Sequence, residues 1–292
     1  MRPLVYIVVL NYNNLEDTVE CITSLKSIDY ENYRILLVDN GSDYDVFVNI
    51  KRTFPEIEYL RLNENVGYAG GNNAGIRKVL DKADYIFVIN NDVVVEKDVL
   101  KKMVEEMEKD NRIAACQPIV MYYHNKKIWS AGTQMFLGYP RLYLKNKICK
   151  IENCFEPPYG LVGCAILIRT SALKDLGGFD ESLFMTNEET DWCIRAKKKG
   201  YSFLVVNAKV YHKVSSTIGF FSPMYLYYIS RNWILIAKKN FSSLMYAYVV
   251  LTEFLRIVYY IYLLTKMNKL GLIKYYLKGV MDGLRGVKGR VI

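Results

Sequence analysis

Three apolar runs break off abruptly into polar clusters, and this pattern does most to limit the folds open to the chain. "LVYIVVL" (residues 4–10) runs into Asn11-Tyr12-Asn13, "YRILLV" (33–38) into Asp39-Asn40-Gly41-Ser42, and "ADYIFVI" (83–89) into Asn90-Asn91-Asp92. Continuous β-branched runs of this kind read as strands buried on both faces. Between them lie stretches of helical period: "LEDTVECITSLKSI" places Leu15, Val19, Ile22 and Leu25 on one face, and "VFVNIKRTF" and "EKDVLKKMVEEMEKD" also read as helices. Strand and helix alternating through short polar turns predict a largely parallel sheet covered by helices. Ligands of such sheets sit at the carboxyl ends of the strands, so all three clusters are expected on one rim. Asn and Asp also suit tight turns. Asp92 is therefore either a turn residue or a residue that holds something.

"IEYLRLNENVGYAGGNNAGIRKVL" is expected to run strand, Gly-rich turn, helix. Glycines at 67, 70, 71 and 75 let backbone N–H groups approach an anion at a helix start. They match neither the P-loop nor the GxGxxG spacing, and taken alone they read more readily as turn-and-packing glycines than as an anion loop. The missing fingerprint argues against a dehydrogenase. A nucleotidyltransferase would need a basic Gly-rich loop after the first strand, where "NYNNLED" stands.

After residue 115 the pattern is mixed. "TNEETDWCIR" holds Glu188, Glu189 and Asp191 within four residues. Early acids suit the positive end of a helix capped by Thr186 or Asn187, and Asp191 with Arg195 makes an ordinary i,i+4 pair. Three carboxylates beside Trp192 and the apolar "SLFM" also fit a second purpose, a carboxylate of raised pKa acting as general base. His212, one of two histidines, ends the strand "FLVVNAKVY". It is either a structural imidazole or one ligand of a divalent cation that shares it with a carboxylate and phosphate oxygens. The six cysteines include no CxxC pair and no zinc spacing. With no signal-peptide pattern at the start, they are expected to be reduced and cytoplasmic.

The net charge of +9 is unevenly placed: residues 1–212 carry −1 and residues 213–292 carry +10. The tail is also rich in aromatics and aliphatics. "SSLMYAYVVLTEFLRIVYYIYLL" (242–264) is long enough to cross a bilayer, with Glu253 and Arg256 near its middle. The remainder to residue 292 reads as a basic amphipathic helix suited to a headgroup region. Basic residues interleaved with bulky aliphatics fit a membrane surface better than nucleic acid. A helical appendage packed on the catalytic domain or on another subunit explains the same residues.

Taken in order, "VVLNYNN", "VDNGS", "NENVGYAGGNNAGI", "INND", "GGFDESLFMTNEETDWCIRA" and "VYHK" resemble the family 2 glycosyltransferases, in particular their rhamnosyltransferase-like and galactofuranosyltransferase-like branch. The resemblance spans residues 4 to about 240. It implies an α/β GT-A (Rossmann-like nucleotide-diphospho-sugar transferase) domain over 1–215 and a helical, membrane-associating C-terminal extension over 216–292. It implies that Asn11, Tyr12, Asn13, Asp39, Asn65, Gly67, Gly71, Asn72 and Asn91 hold the nucleotide, with the Asp39 carboxylate at the pyrimidine edge. Asp92 and His212 would bind Mg²⁺ or Mn²⁺. Glu189 would be the base, with Glu188 and Asp191 as the accompanying acids; Asp191 is an acceptor contact or a helix support.

The activity implied is metal-dependent, inverting transfer of a sugar from a UDP- or dTDP-linked donor. The acceptor would be a hydroxyl of a glycan or polyprenyl-lipid-linked molecule in cell-surface polysaccharide synthesis, at the cytoplasmic face of the membrane. The alternative is a non-catalytic nucleotide-sugar- or glycan-binding scaffold on the same fold.

Overall fold

The computed structural model describes residues 2–148, 151–214 and 221–292. Cys149, the expected boundary at 215/216 and the change of character at Ile218 lie outside them. The elements run β1 (Val5–Asn11), α1 (Leu15–Lys26), β2 (Tyr33–Asp39), α2 (Tyr44–Thr53), β3 (Glu58–Arg61), α3 (Gly67–Val79), β4 (Tyr85–Asn90), β5 (Val93–Val95), α4 (Val99–Met107) and β6 (Ile113–Tyr122). They continue with β7 (Ile128–Ser130), β8 (Thr133–Phe136), β9 (Tyr139–Leu142), β10 (Ala165–Arg169), α5 (Thr170–Leu176), α6 (Glu188–Lys198), β11 (Ser202–His212), α7 (Pro223–Asn240), α8 (Ser243–Lys266) and α9 (Ile273–Arg285).

The main sheet has the order β3-β2-β1-β4-β10-β6-β11-β5, with β7 on β6. Strands β3, β2, β1 and β4 are parallel, and so are β6 and β11; β10 runs antiparallel to both β4 and β6, and β5 antiparallel to β11. The sheet is mixed rather than largely parallel because β10 starts at the rim where β4 ends, with Asn90 N–H donating to Cys164 C=O at 2.9 Å. That reversal brings Gly163 and Cys164 to the functional rim. The irregular stretch before it forms the two-stranded β8–β9 hairpin.

Strand alternation splits the core cleanly. Ile7, Val9, Phe87 and Ile89 pack against Ile22 and Leu25 of α1 and Leu100 and Met103 of α4. Their neighbours Val8, Ile86 and Val88 pack against Ile76 and Val79 of α3 and Trp192 of α6. These central strands are buried on both faces, which explains their unbroken apolar runs.

The glycines expected in a turn lie within α3 itself. A Cβ on Gly75 would stand 2.5 Å from Val8 Cγ1, and one on Gly71 would stand 2.5 Å from Leu10 Cδ1. Gly71 and Gly75 are selected by packing, because the helix presses onto β1.

Helix α7 starts from a Ser222 cap with proline in the first turn and buries Trp233, whose Nε1 donates to Gly138 C=O at 2.8 Å. Helix α9 crosses it closely, since a Cβ on Gly279 would meet Tyr227 C=O at 2.3 Å. The basic helix is thus anchored on the protein by one face and shows Lys274, Leu277, Lys278 and Met281 on the other. Glu253 of α8 is buried and accepts from Arg256 and from the Tyr276 hydroxyl, so both mid-helix charges face protein. The outward face of α8 is apolar, with Leu251 and Phe254 each 66% exposed.

Candidate active site

The strand ends meet as the alternation predicted. In register, Asn11 lies beside Asp39, and Leu10 beside Asn90. Asn11 Nδ2 donates to Asp39 Oδ1 at 3.1 Å and to Ser42 Oγ at 3.2 Å, and Asn11 Oδ1 accepts from Thr18 Oγ1 at 2.9 Å. Asn91 Nδ2 closes the ring through Thr18 Oγ1 at 2.9 Å. Asn13 adopts a positive φ of 50° and its side chain accepts from Asp43 N–H, while Tyr12 stands exposed beside it. Asp39 is fully buried; its Oδ2 has no hydrogen-bond donor among the described residues, and Arg61 Nε stands 3.7 Å away. A buried carboxylate oxygen left open in this way is set to receive an N–H from a ligand.

Behind this rim, Asn65 Oδ1 accepts from Asn40 Nδ2 at 3.1 Å and from Gly67 N–H at 2.9 Å. Gly67 has φ +80°, and a Cβ there would lie 2.2 Å from Phe184 C=O. Asn65, Gly67 and Gly71 therefore form the joint between β2, α3 and the loop that precedes α6. Asn72 is buried in α3, with Nδ2 donating to Tyr68 C=O.

Next to the rim opens a cavity of about 730 Å³, lined among others by Asn91, Asp92, His212, Glu188 and Glu189. Asp92 ends the turn after β4, is buried, and has Oδ1 3.1 Å from His212 Nε2 at the end of β11. Desolvation opposes protonation of His212, but Cys164 and the Asp92 carboxylate outweigh it and raise the imidazole to about 10. Trp129 packs edge-on to His212 at 4.8 Å.

Across the same cavity α6 begins with Glu188 and Glu189. Burial pushes both carboxyls up: Glu189 reaches about 7, and Glu188, fully buried beside the Glu189 charge, goes well above the usual range. Two adjacent carboxyls in an apolar setting do not readily ionise together, so the pair is expected to carry one charge near neutral pH. Asp191 points elsewhere. About 200° around the helix from Glu189, it accepts from Arg195 Nε at 2.9 Å, Lys239 Nζ at 3.1 Å and Asn240 Nδ2 at 2.8 Å. It ties α6 to α7 rather than facing the cavity.

Several residues escaped the sequence reading. Tyr68 lines the cavity and donates to Gly163 C=O at 2.7 Å; a Cβ on Gly163 would lie 3.0 Å from that hydroxyl and 3.6 Å from Glu189 Oε2. Asn232 of α7 is buried, and its Nδ2 donates to Leu183, Met185 and Thr186 C=O at 2.9, 2.6 and 2.9 Å. Phe184, Thr186 and Asn187 all have positive φ. Such backbone is costly for Phe and Thr and persists only when its surroundings hold it. Asn232 is what holds it, so α7 positions the acids of α6. No sequence signal short of the "RNW" of α7 pointed to this.

The model of glycosyl transferase family 2 matches residues 6–177, more than half of the chain. The chain belongs to this family. This glycosyltransferase is 26% identical to the dTDP-rhamnosyl transferase RfbF of Shigella flexneri, over 99% of the chain and 98% of the relative. It is also 26% identical to an N-acetylglucosaminyl-diphospho-decaprenol L-rhamnosyltransferase of Mycobacterium tuberculosis, over 74% of the chain and 78% of the relative. Among solved structures, a mannosyltransferase of Pyrobaculum calidifontis in complex with GDP-Man and Mn²⁺ matches with a TM-score of 0.62 at 12% identity, over 97% of this chain and 88% of that one. The GT-A-like α/β fold expected from the motifs is the fold found.

Proposed function

We propose that this family 2 glycosyltransferase moves a sugar, with inversion, from a UDP- or dTDP-linked donor to a hydroxyl of a glycan or lipid-linked acceptor in polysaccharide synthesis. The observation that carries the reading is that Asp92–His212 and Glu188–Glu189 open onto one cavity. The names of the rhamnosyltransferase relatives support the donor and acceptor classes.

The donor's base is assigned to the Asn11–Asp39–Asn13 rim, with the open Asp39 Oδ2 receiving a pyrimidine N–H. Asn65, Gly67, Gly71, Asn72 and Asn91 shape the wall beside it. Among the described residues no group of three or more His, Cys, Asp or Glu side chains converges on one metal position. Asp92 and His212 would hold Mg²⁺ or Mn²⁺, since a carboxylate and an imidazole are donors such a cation accepts. When bound, the cation neutralises charge developing on the departing diphosphate.

Glu189, ionised near neutral pH, removes the proton of the acceptor hydroxyl as its oxygen forms a bond to C1 of the donor sugar. The bond from C1 to the diphosphate oxygen breaks, and its electron pair leaves with the nucleotide. Glu188 stays protonated and keeps a second charge away from the base. Asp191 is a positioning residue acting through Arg195, Lys239 and Asn240.

Purified protein incubated with a panel of UDP- and dTDP-sugars and Mn²⁺ is expected to release nucleotide from one donor, and EDTA to stop it. Release from none, with lipid-linked acceptors present, overturns the reading in favour of the scaffold.

In this reading residues 1–215 are the catalytic unit and 216–292 the helical unit, working at the cytoplasmic face of a membrane. Helix α8 is long and apolar enough to cross a bilayer. Its inward-facing Glu253 and Arg256 and its packing on α7 favour lying in the headgroup plane instead. Vesicles containing phosphatidylglycerol should pellet the protein. The triple change Leu251→Asp, Phe254→Asp and Val258→Asp should weaken this at least tenfold, about 1.4 kcal/mol. Equal pelleting of wild type and variant would remove α8 from the membrane face.

A further inference from the structure

Part of the cavity lining is not used by the proposed chemistry. It comprises Tyr139, Arg141, Lys145, Arg256, Tyr259 and Tyr260, from the β8–β9 hairpin with the segment after it and from α8. The Arg256 side chain is only 11% exposed. One Nη is paired with Glu253, but Nε and the other Nη are buried without a hydrogen-bond partner among the described residues. A guanidinium presents its N–H groups as a fixed planar fork, and leaving two of them buried and unpaired is costly unless a ligand supplies oxygens. Its carbon lies 4.7 Å over the Tyr139 ring, which fixes the plane of the fork.

The same cavity wall carries another buried donor without a hydrogen-bond partner among the described residues, Trp129 Nε1. Arg141 stacks on Phe136 at 4.4 Å, and Lys145, its pKa lowered by desolvation, adds a third cation. Glu253 pairs with Arg256. The buried Nε and second Nη of Arg256, left without a hydrogen-bond partner among the described residues, call for an oxygen-rich anion. The site is the inner side of α8, whose outer side presents Leu255, Val258 and Tyr262 to the surroundings.

We infer that Arg256, with Arg141 and Lys145, forms a subsite for the phosphate or diphosphate ester of the acceptor, whose apolar chain leaves along α8. The subsite rests on the transferase reading above and uses neither residue of the metal pair. It orients the acceptor by its anionic linker, so that the sugar hydroxyl reaches Glu189 while the chain stays in lipid. Bidentate contact from a planar guanidinium suits a diphosphate better than a neutral head group does.

The test is calorimetric titration of the full chain, with Mn²⁺ and UDP or dTDP present to fill the donor site, using farnesyl diphosphate, farnesol and inorganic pyrophosphate. Farnesyl diphosphate is expected to bind at least tenfold tighter than farnesol. That preference should fall at least tenfold in Glu253→Gln/Arg256→Gln, which removes both halves of the buried pair and leaves no lone charge. It should fall at least threefold in Arg141→Gln/Lys145→Gln, whose positions are exposed; thermal melts check that both variants fold. Pyrophosphate binding as tightly as farnesyl diphosphate assigns the same anion subsite to a soluble phosphate ester; weaker binding assigns it to the lipid-linked one. Equal affinity for farnesol, loss of diphosphate binding whenever nucleotide is present, or unchanged preference in both folded variants overturns the proposal. Variant-sensitive farnesyl diphosphate binding in a protein that binds neither nucleotide sinks the transferase reading instead and leaves the anion subsite standing.

Discussion

Glu189→Gln is expected to lower kcat by about 10²–10⁴-fold, the range that a positioned general base contributes, while KM for the donor changes little. Glutamine keeps the size and the polar contacts of the side chain and removes only the basic lone pair. In the wild type the base must be ionised, so the rate should rise with pH through about 7, where burial has pushed this carboxyl, and then level off. The variant's residual rate should lose that limb. Stability supplies an independent check. A carboxyl whose folded pKa lies above its unfolded value favours folding below the unfolded value, and that contribution is lost as pH rises through the folded value. The variant should therefore melt higher than wild type at pH 8 and no higher at pH 5. Full activity in the variant, or an unchanged pH limb, assigns the proton to another group.

The parallel half of the fold and the rim were legible because both follow from local chemistry. Short β-branched apolar runs bounded by turn residues read as strands covered on two sides, and β1, β2 and β4 stop at the residues where the polar clusters begin. Glu188 and Glu189 were legible for a related reason, since three acids in one helical turn exceed what capping needs. Less legible was anything that depends on how distant segments meet. The reversal of β10 leaves no mark in an apolar strand, yet it delivers Gly163 and Cys164 to the site. Asn232 reads as an ordinary polar residue in an aromatic helix until its three carbonyl partners are seen. Asp191 belonged with its neighbours by spacing, and only the turn of α6 separates them. Arg256 seemed a penalty in a bilayer-length segment; folded, it lines the cavity.

Metal dependence gives the second large effect. With a carboxylate and one imidazole as the facing donors, Asp92 and His212 supply too few ligands for a Ca²⁺- or Mn²⁺-sized cation on their own. Mn²⁺ alone is therefore expected to shift the melting temperature little. Mn²⁺ added with UDP or dTDP should raise it well beyond the sum of either alone, because the diphosphate completes the shell. At a hundredfold excess over Kd the gain is about 2.7 kcal/mol. Asp92→Asn keeps the shape of the turn after β4 and a contact to His212 but removes the charge. It should abolish the joint stabilisation and cut donor turnover by at least 10²-fold, the scale of losing a charge-stabilising group in a buried site. A nucleotide-only shift should survive in that variant, since the Asn11–Asp39 rim is intact. If Asp92→Asn retained the Mn²⁺-dependent shift, the cation would be held elsewhere, and Asp92 would be the residue that ends a strand and orients His212.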